Sequence, residues 1–183
     1  MKNRPVVFLI ALFLIGILAF FVYEKIKSPG LTVVKKEEKQ EKLIAQIRDL
    51  MKKLAEDPDD EATLEKLGDL FSSLGQWEKA LFFFNRLERK RENSPEIKEK
   101  IAMCYFYMRE YVLAYKKLKE ALELDPNNVF VHFNIGLLYS YFLKNKKKAK
   151  EHFLFVINSK DGNDKLKSLA EEEIKRLNNK SLE

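Results

Sequence analysis

The stretch PEIKEKIAMCYFYMREYVLAYKKLKEALELDPNN, residues 95–128, decides the fold, because its order of small and large apolar residues recurs on both sides of it. Gly68, Ala102 and Gly136 stand 34 residues apart, as do Leu67, Ile101 and Ile135, and Phe71, Tyr105 and Tyr139. Three sets in one phase define a tandem repeat. Ala80 and Phe84 return as Ala114 and Leu118, then one residue late as Ala149 and Phe153, so the third unit carries one inserted residue in its turn. Each unit reads as two short amphipathic helices around a turn, with small residues that let the pair approach closely. Neither helix can bury its apolar face alone, so neighbouring units must stack.

A period of 34, with small residues at places eight and twenty and large ones at seven, eleven and twenty-four, resembles the tetratricopeptide repeat over residues 61 to about 161. The resemblance implies an all-α solenoid of helical hairpins whose first helices line a concave groove. The copies diverge: place four is Leu64, then Lys98, then His132, and the closing proline is present only as Pro126.

Unit one spans 61–94, with helices near 62–74 and 76–90 divided at Gly75, a residue that takes a positive φ without penalty. Unit two spans 95–128, with helices near 95–108 and 111–124; Ser94 suits its cap and Pro95 its first helical position. Unit three spans 129–163, with helices near 129–143 and 146–159 and a turn at Lys160-Asp161-Gly162-Asn163. A last amphipathic helix, 164–178 within the segment 164–183, turns Leu166, Leu169, Ala170, Ile174 and Leu177 inward and caps the stack. Ahead of the units, 36–58 holds a leading helix with Leu43, Ile44, Ile47, Leu50, Met51 and Leu54 on one face. It reads as the second half of an incomplete repeat, since Glu56-Asp57-Pro58 precedes unit one as Leu124-Asp125-Pro126 precedes unit three; a two-heptad coiled coil is the alternative.

Residues 6–23 carry no charge, and eighteen helical residues reach about 27 Å, close to the ~30 Å hydrocarbon layer. This predicts a membrane helix within 1–27, followed by a short linker over 28–35. The apolar run is longer than a secretory signal's and its end lacks a small-x-small cleavage site, so an uncleaved anchor is expected. Lys2 and Arg4 precede it, while Lys25, Lys27, Lys35, Lys36 and Lys39 follow. The short basic tail favours a signal-anchor that exports the repeats; the lysines behind it pull the other way. One membrane helix and eight others are expected in all.

The net charge of +6 and the 34% charged residues alternate in sign along the helices, which suits solvated faces and not a nucleic-acid stripe. The basic run Lys144 to Lys150 reads likewise as a solvated turn, with acidic lipid or RNA as its functional alternative. Cys104 alone forms no intrachain disulfide and is expected as a packed thiol. No phosphate-cradling glycine loop, G-x-S-x-G elbow or H-E-x-x-H pattern occurs, so no cofactor, no metal and no enzyme activity is expected; an enzyme whose site converges from separate helices is the distant alternative. His132 and His152, the two histidines, fall in separate helices, and His132 reads as a packing residue. The acids Glu56, Asp57, Asp59, Asp60 and Glu61 lack EF-hand spacing and read as capping and helix-dipole residues.

The resemblance places the groove at the second, fifth, ninth, twelfth and thirteenth places of each first helix. These are Ala62, Glu65, Asp69, Ser72 and Ser73, then Glu96, Glu99, Met103, Phe106 and Tyr107, then Phe130, Phe133, Leu137, Ser140 and Tyr141. The groove thus runs from acidic to aromatic and suits a peptide or helix segment of a partner protein with an apolar anchor and a basic end. The family's carboxylate clamp for acidic tails has no counterpart here, since Glu65, Asp69 and Glu99 would repel one. The competing expectation for the aromatic half is enclosure, by the last helix or by a second copy in a homodimer; Phe82 and Phe83 raise the same question on the other face.

Overall fold

The computed structural model describes residues 41–179, and the chain divides into two units between Asp49 and Leu50. The expected membrane helix over 6–23 and the linker over 28–35 lie outside the described residues. Among the described residues no helix is long and apolar enough to cross a membrane. Residues 41–56 are helical and form α1, of which 41–49 belong to the first unit.

In the second unit Leu54 of α1 is buried and Lys53 pairs with Asp60 at 2.5 Å. There follow α2 (Glu61–Ser73), α3 (Trp77–Glu88), α4 (Pro95–Tyr107), α5 (Tyr111–Leu124), α6 (Val129–Tyr141), α7 (Lys146–Asn158) and α8 (Asp164–Asn179). Helices α2 to α7 pack as three hairpins, and the second helix of each rests on the first helix of the next, with α8 packed on α7.

Short polar side chains start these helices by taking up orphan backbone donors. Ser94 accepts from the Ile97 N–H at 3.3 Å, with Pro95 directly inside the helix. Asn128 accepts from both Phe130 and Val131 at 3.1 Å, and Asn163 from Leu166 at 2.8 Å. Asp60 stands at the same place before α2 yet forms no such bond; its carboxylate takes the Thr63 hydroxyl and the Lys53 ammonium instead.

The three hairpin turns share one backbone device. Gly75, Arg109 and Lys144 occupy the same place in each and all take the left-handed conformation, at φ 70°, 65° and 51°. The residue after each closes the turn by donating back to the first helix, from Gln76 to the Phe71 carbonyl at 2.9 Å and from Glu110 to Tyr105 at 2.8 Å. In the third hairpin Asn145 reaches Tyr139 at 2.9 Å across one additional residue, which locates the insertion.

The repeat's small and large residues meet inside each hairpin. A Cβ on Gly68 would lie 2.3 Å from Phe84, and one on Gly136 would lie 2.6 Å from Phe153. Both rings are fully buried. The middle unit has Ala102 where the others have glycine and Leu118 where they have phenylalanine, and both of these are buried too.

Ala170 of α8 follows Gly136 by 34 residues and is fully buried, so α8 continues the phase of the first helices. Leu166 and Leu177 are buried with it. Leu169, expected inward, is instead 40% exposed, whereas Leu67, Ile101 and Ile135 at the same place are enclosed. Among the described residues no helix follows α8 to cover it.

Candidate binding groove

Helices α2, α4 and α6 carry the residues that the repeat phase assigns to the groove. At the α2 end the acids are already paired. Glu65 accepts from Lys100 of α4 at 3.0 Å and from Arg91 at 3.2 Å, and Asp69 accepts from Lys100 at 2.7 Å. Arg91 also holds Glu61 at 2.7 Å. The Lys100 hydrogen bond keeps the Glu65 carboxyl below its ordinary value. The acidic end expected from the groove positions alone is therefore largely neutralised by two cations that those positions omit.

Between α4 and α6 lies a cavity of about 410 Å³. Its apolar wall is Met103, Phe106 and Tyr107 from α4 and Leu137 and Leu138 from α6, over a floor of Ala102, Ala114 and Leu118. Glu99, Lys100 and Asn134 supply its polar groups. Five of the ten residues assigned to partner binding, Glu99, Met103, Phe106, Tyr107 and Leu137, thus surround one space. Met103 is 40% exposed and free to meet a ligand. Glu99 is half-buried and accepts from the Asn128 side-chain amide at 3.0 Å, while burial pushes its carboxyl pKa up.

The other five are placed differently. Glu65 and Asp69 sit in the ion pairs above. Phe130 is exposed and outside the cavity wall. Phe133 packs on the core, its ring 5.7 Å from that of Phe153. Tyr141 is engaged by α8: its hydroxyl donates to Glu173 at 2.8 Å and the Arg176 guanidinium lies 3.7 Å from its ring centre. Arg176 also donates to Ser140 at 2.9 Å, so α8 occupies the end of the groove face in unit three. On the opposite side, Phe83 is buried against Phe71, and Phe82 remains exposed beneath Arg86.

An aromatic ladder that the groove positions only half contain fixes the turn ends of the hairpins. Trp77 stacks on Tyr107 at 4.1 Å, Phe106 meets Phe142 edge-on at 5.5 Å, and Phe142 stacks on Tyr111 at 3.9 Å. These contacts orient Phe106 and Tyr107 at the mouth of the cavity.

The departures at place four are explained by local partners. Lys98 bonds to Glu88 at 2.9 Å, and Lys117 joins it from α5 at 2.9 Å. Burial opposes that charge, but the two ammonium groups hold Glu88 below its ordinary value. His132 meets His152 across the hairpin, with their Nδ1 atoms 3.0 Å apart. Its Nε2 faces the Pro126 carbonyl at 3.0 Å, which only accepts, so His132 is protonated at Nε2 and His152 donates to it. Burial, reinforced by His132 and Lys148, drives His152 down to about 4. Nothing in the spacing of 20 residues announces this pair. Cys104 is buried, and burial pushes its thiol up to about 11, which leaves it unreactive.

No protein-family model and no curated protein sequence matches the chain. Solved structures do. It superposes on MamA at 22% identity and a TM-score of 0.62, covering 80% of this chain and 92% of that one. A tetratricopeptide repeat protein from Parabacteroides merdae gives 18% identity and a TM-score of 0.68, over 80% of this chain and 57% of that one. The chain has the tetratricopeptide-repeat fold. The first tetratricopeptide domain of Spaghetti (RPAP3), bound to an HSP90 peptide, adds a likeness at 15% identity and a TM-score of 0.59, covering 67% of this chain and 94% of that one. The cavity between α4 and α6 thus lies between the first helices of two adjacent tetratricopeptide units.

Proposed function

We propose that the chain is a membrane-anchored protein-binding scaffold that takes an apolar side chain of a partner's peptide or helix into the cavity between α4 and α6. The observation that carries the reading is the cavity itself: four of the five residues of its apolar wall, Met103, Phe106, Tyr107 and Leu137, are ones that the repeat phase assigns to a groove, and Met103 stays exposed within it. A pocket lined by aromatic and aliphatic residues with a few polar groups is how such surfaces anchor a partner. Tetratricopeptide domains of similar fold hold peptides, as in the RPAP3 complex with SRMEEVD. That acidic sequence would meet Glu99 here, so a different partner chemistry is called for.

A binding role also suits the groups that could otherwise do chemistry. His132 and His152 are committed to each other and to the Pro126 carbonyl, and the Cys104 thiol is buried. The charge-free run 6–23 supports an anchor, with the repeats on the extracytoplasmic side and a role in assembling or maturing an envelope complex.

The test is capture of partners from solubilised membranes by the full chain beside a Met103→Glu variant. Met103 is 40% exposed, so the substitution should leave the fold intact, which circular dichroism checks. A partner retained by the unmodified chain and lost by the variant supports the groove. A chain that captures nothing and whose dimer the variant dissolves refutes it and makes this face a self-association surface.

A further inference from the structure

We infer that Glu99 selects the partner, by accepting a lysine or arginine side chain that lies next to the apolar residue seated in the cavity. The inference rests on the binding reading above and goes further by naming the chemistry of the occupant.

Glu65, Glu88 and Glu99 are all partly shielded from water, and they differ in what answers them. Glu65 has Lys100 and Arg91, and Glu88 has Lys98 and Lys117. Glu99 has a neutral carboxamide, the Nδ2 of Asn128 at 3.0 Å, and among the described residues no lysine or arginine pairs with it. Lys100 shares the cavity lining, but its ammonium is turned to Asp69 and Glu65 at 2.7 and 3.0 Å.

The surroundings of Glu99 reinforce the imbalance. Glu96 and Asp125 lie close enough to disfavour its charge further. Asn128 is itself fixed, because its oxygen caps α6 through Phe130 and Val131, so it holds the Glu99 carboxylate in place at the cavity edge. A desolvated anion beside an apolar socket favours a cation that arrives with its own apolar neighbour, since the pair forms where water is scarce. Conversely, an acidic segment would bring like charge to a half-buried carboxylate, which suppresses binding.

The experiment is selection from a phage-displayed random-peptide library on the full chain, repeated on Glu99→Gln, Glu99→Asp and Met103→Glu. The expected result is peptides with lysine or arginine beside an aliphatic or aromatic residue, all lost on Met103→Glu. On Glu99→Gln the basic preference disappears and a recovered basic peptide binds about tenfold more weakly. Glu99→Asp keeps the charge and the preference, which separates charge from fold. Peptides that need Met103 but show no basic preference, and bind Glu99→Gln equally, overturn the role of Glu99 and leave the groove standing. Peptides indifferent to Met103→Glu, or no peptides above background, overturn the groove reading itself.

Discussion

Replacing Gly136 by alanine adds one carbon where the structure leaves none. The new Cβ would lie 2.6, 2.9 and 3.0 Å from three ring atoms of Phe153. Comfortable carbon contacts begin near ~3.5 Å, so the ring must retreat by about 1 Å. Phe153 is fully buried in a core that has no slack to receive it. Overpacking of this kind costs about 1 to 3 kcal/mol, against which the better helix propensity of alanine at this mid-helix position returns up to about 1 kcal/mol. For a domain of this size that is a fall in melting temperature of roughly 3 to 5 °C per kcal/mol.

The middle repeat supplies the remedy, because there Ala102 faces Leu118 with both buried. Phe153→Leu alone removes buried ring atoms and should cost about 1 to 2 kcal/mol. The double variant Gly136→Ala, Phe153→Leu recreates the middle pair. It should be more stable than the sum of the single losses predicts, with a coupling of about 1 to 2 kcal/mol. Thermal and urea unfolding of the full chain, followed by circular dichroism at 222 nm, measures all four proteins. Strictly additive penalties would refute the close approach of α6 and α7 at this point, since alanine's gain in helix propensity is the same in both backgrounds and cancels from the coupling.

Two further outcomes concern single positions. The His152 imidazole is held well below its ordinary value, at about 4, so its neutral form favours the folded state above the unfolded value near 6.5. That contribution is lost as the pH falls from there towards 4; wild type should lose on the order of 1 kcal/mol more than His152→Gln over this window, allowing for solvent screening. Equal pH profiles in thermal melting would contradict the buried pair. Arg109 takes a left-handed backbone that Gly75 takes one unit earlier at no steric cost. Arg109→Gly should therefore raise stability by up to about 1 kcal/mol, and a lower melting temperature would count against the turn geometry.

The hairpins were legible because close helix packing imposes a size rule at fixed places, and Gly68, Ala102 and Gly136 obey it. The cap at Ser94 and the turn at Gly75 were legible for the same reason, since each demands a residue type. Arg109 and Lys144 escaped notice, because no side-chain signal marks a left-handed residue other than glycine. Position in the phase could have found them, as both align with Gly75. The candidate site was half legible. The repeat phase gave the helix face that holds Met103 and Leu137, but it said nothing of Lys100 and Arg91, which come from other places and cancel the acids at Glu65 and Asp69. The His132–His152 contact depends on two side chains reaching across a hairpin, and Leu169 depends on whether a following helix exists. Local pattern carries neither.

Among the described residues α8 is held from one side, by α7 and by the Arg176 contacts to α6, and Leu169 stays exposed. In a stack stabilised by nearest neighbours, an element with a single supported face opens before the interior does. Amide protons of α8 should then exchange with solvent faster than those of α4 and α5, which are packed between neighbours on both sides. Each opening of α8 would uncover Ser140 and Tyr141, so fraying of this helix would lengthen the exposed face that α2, α4 and α6 share.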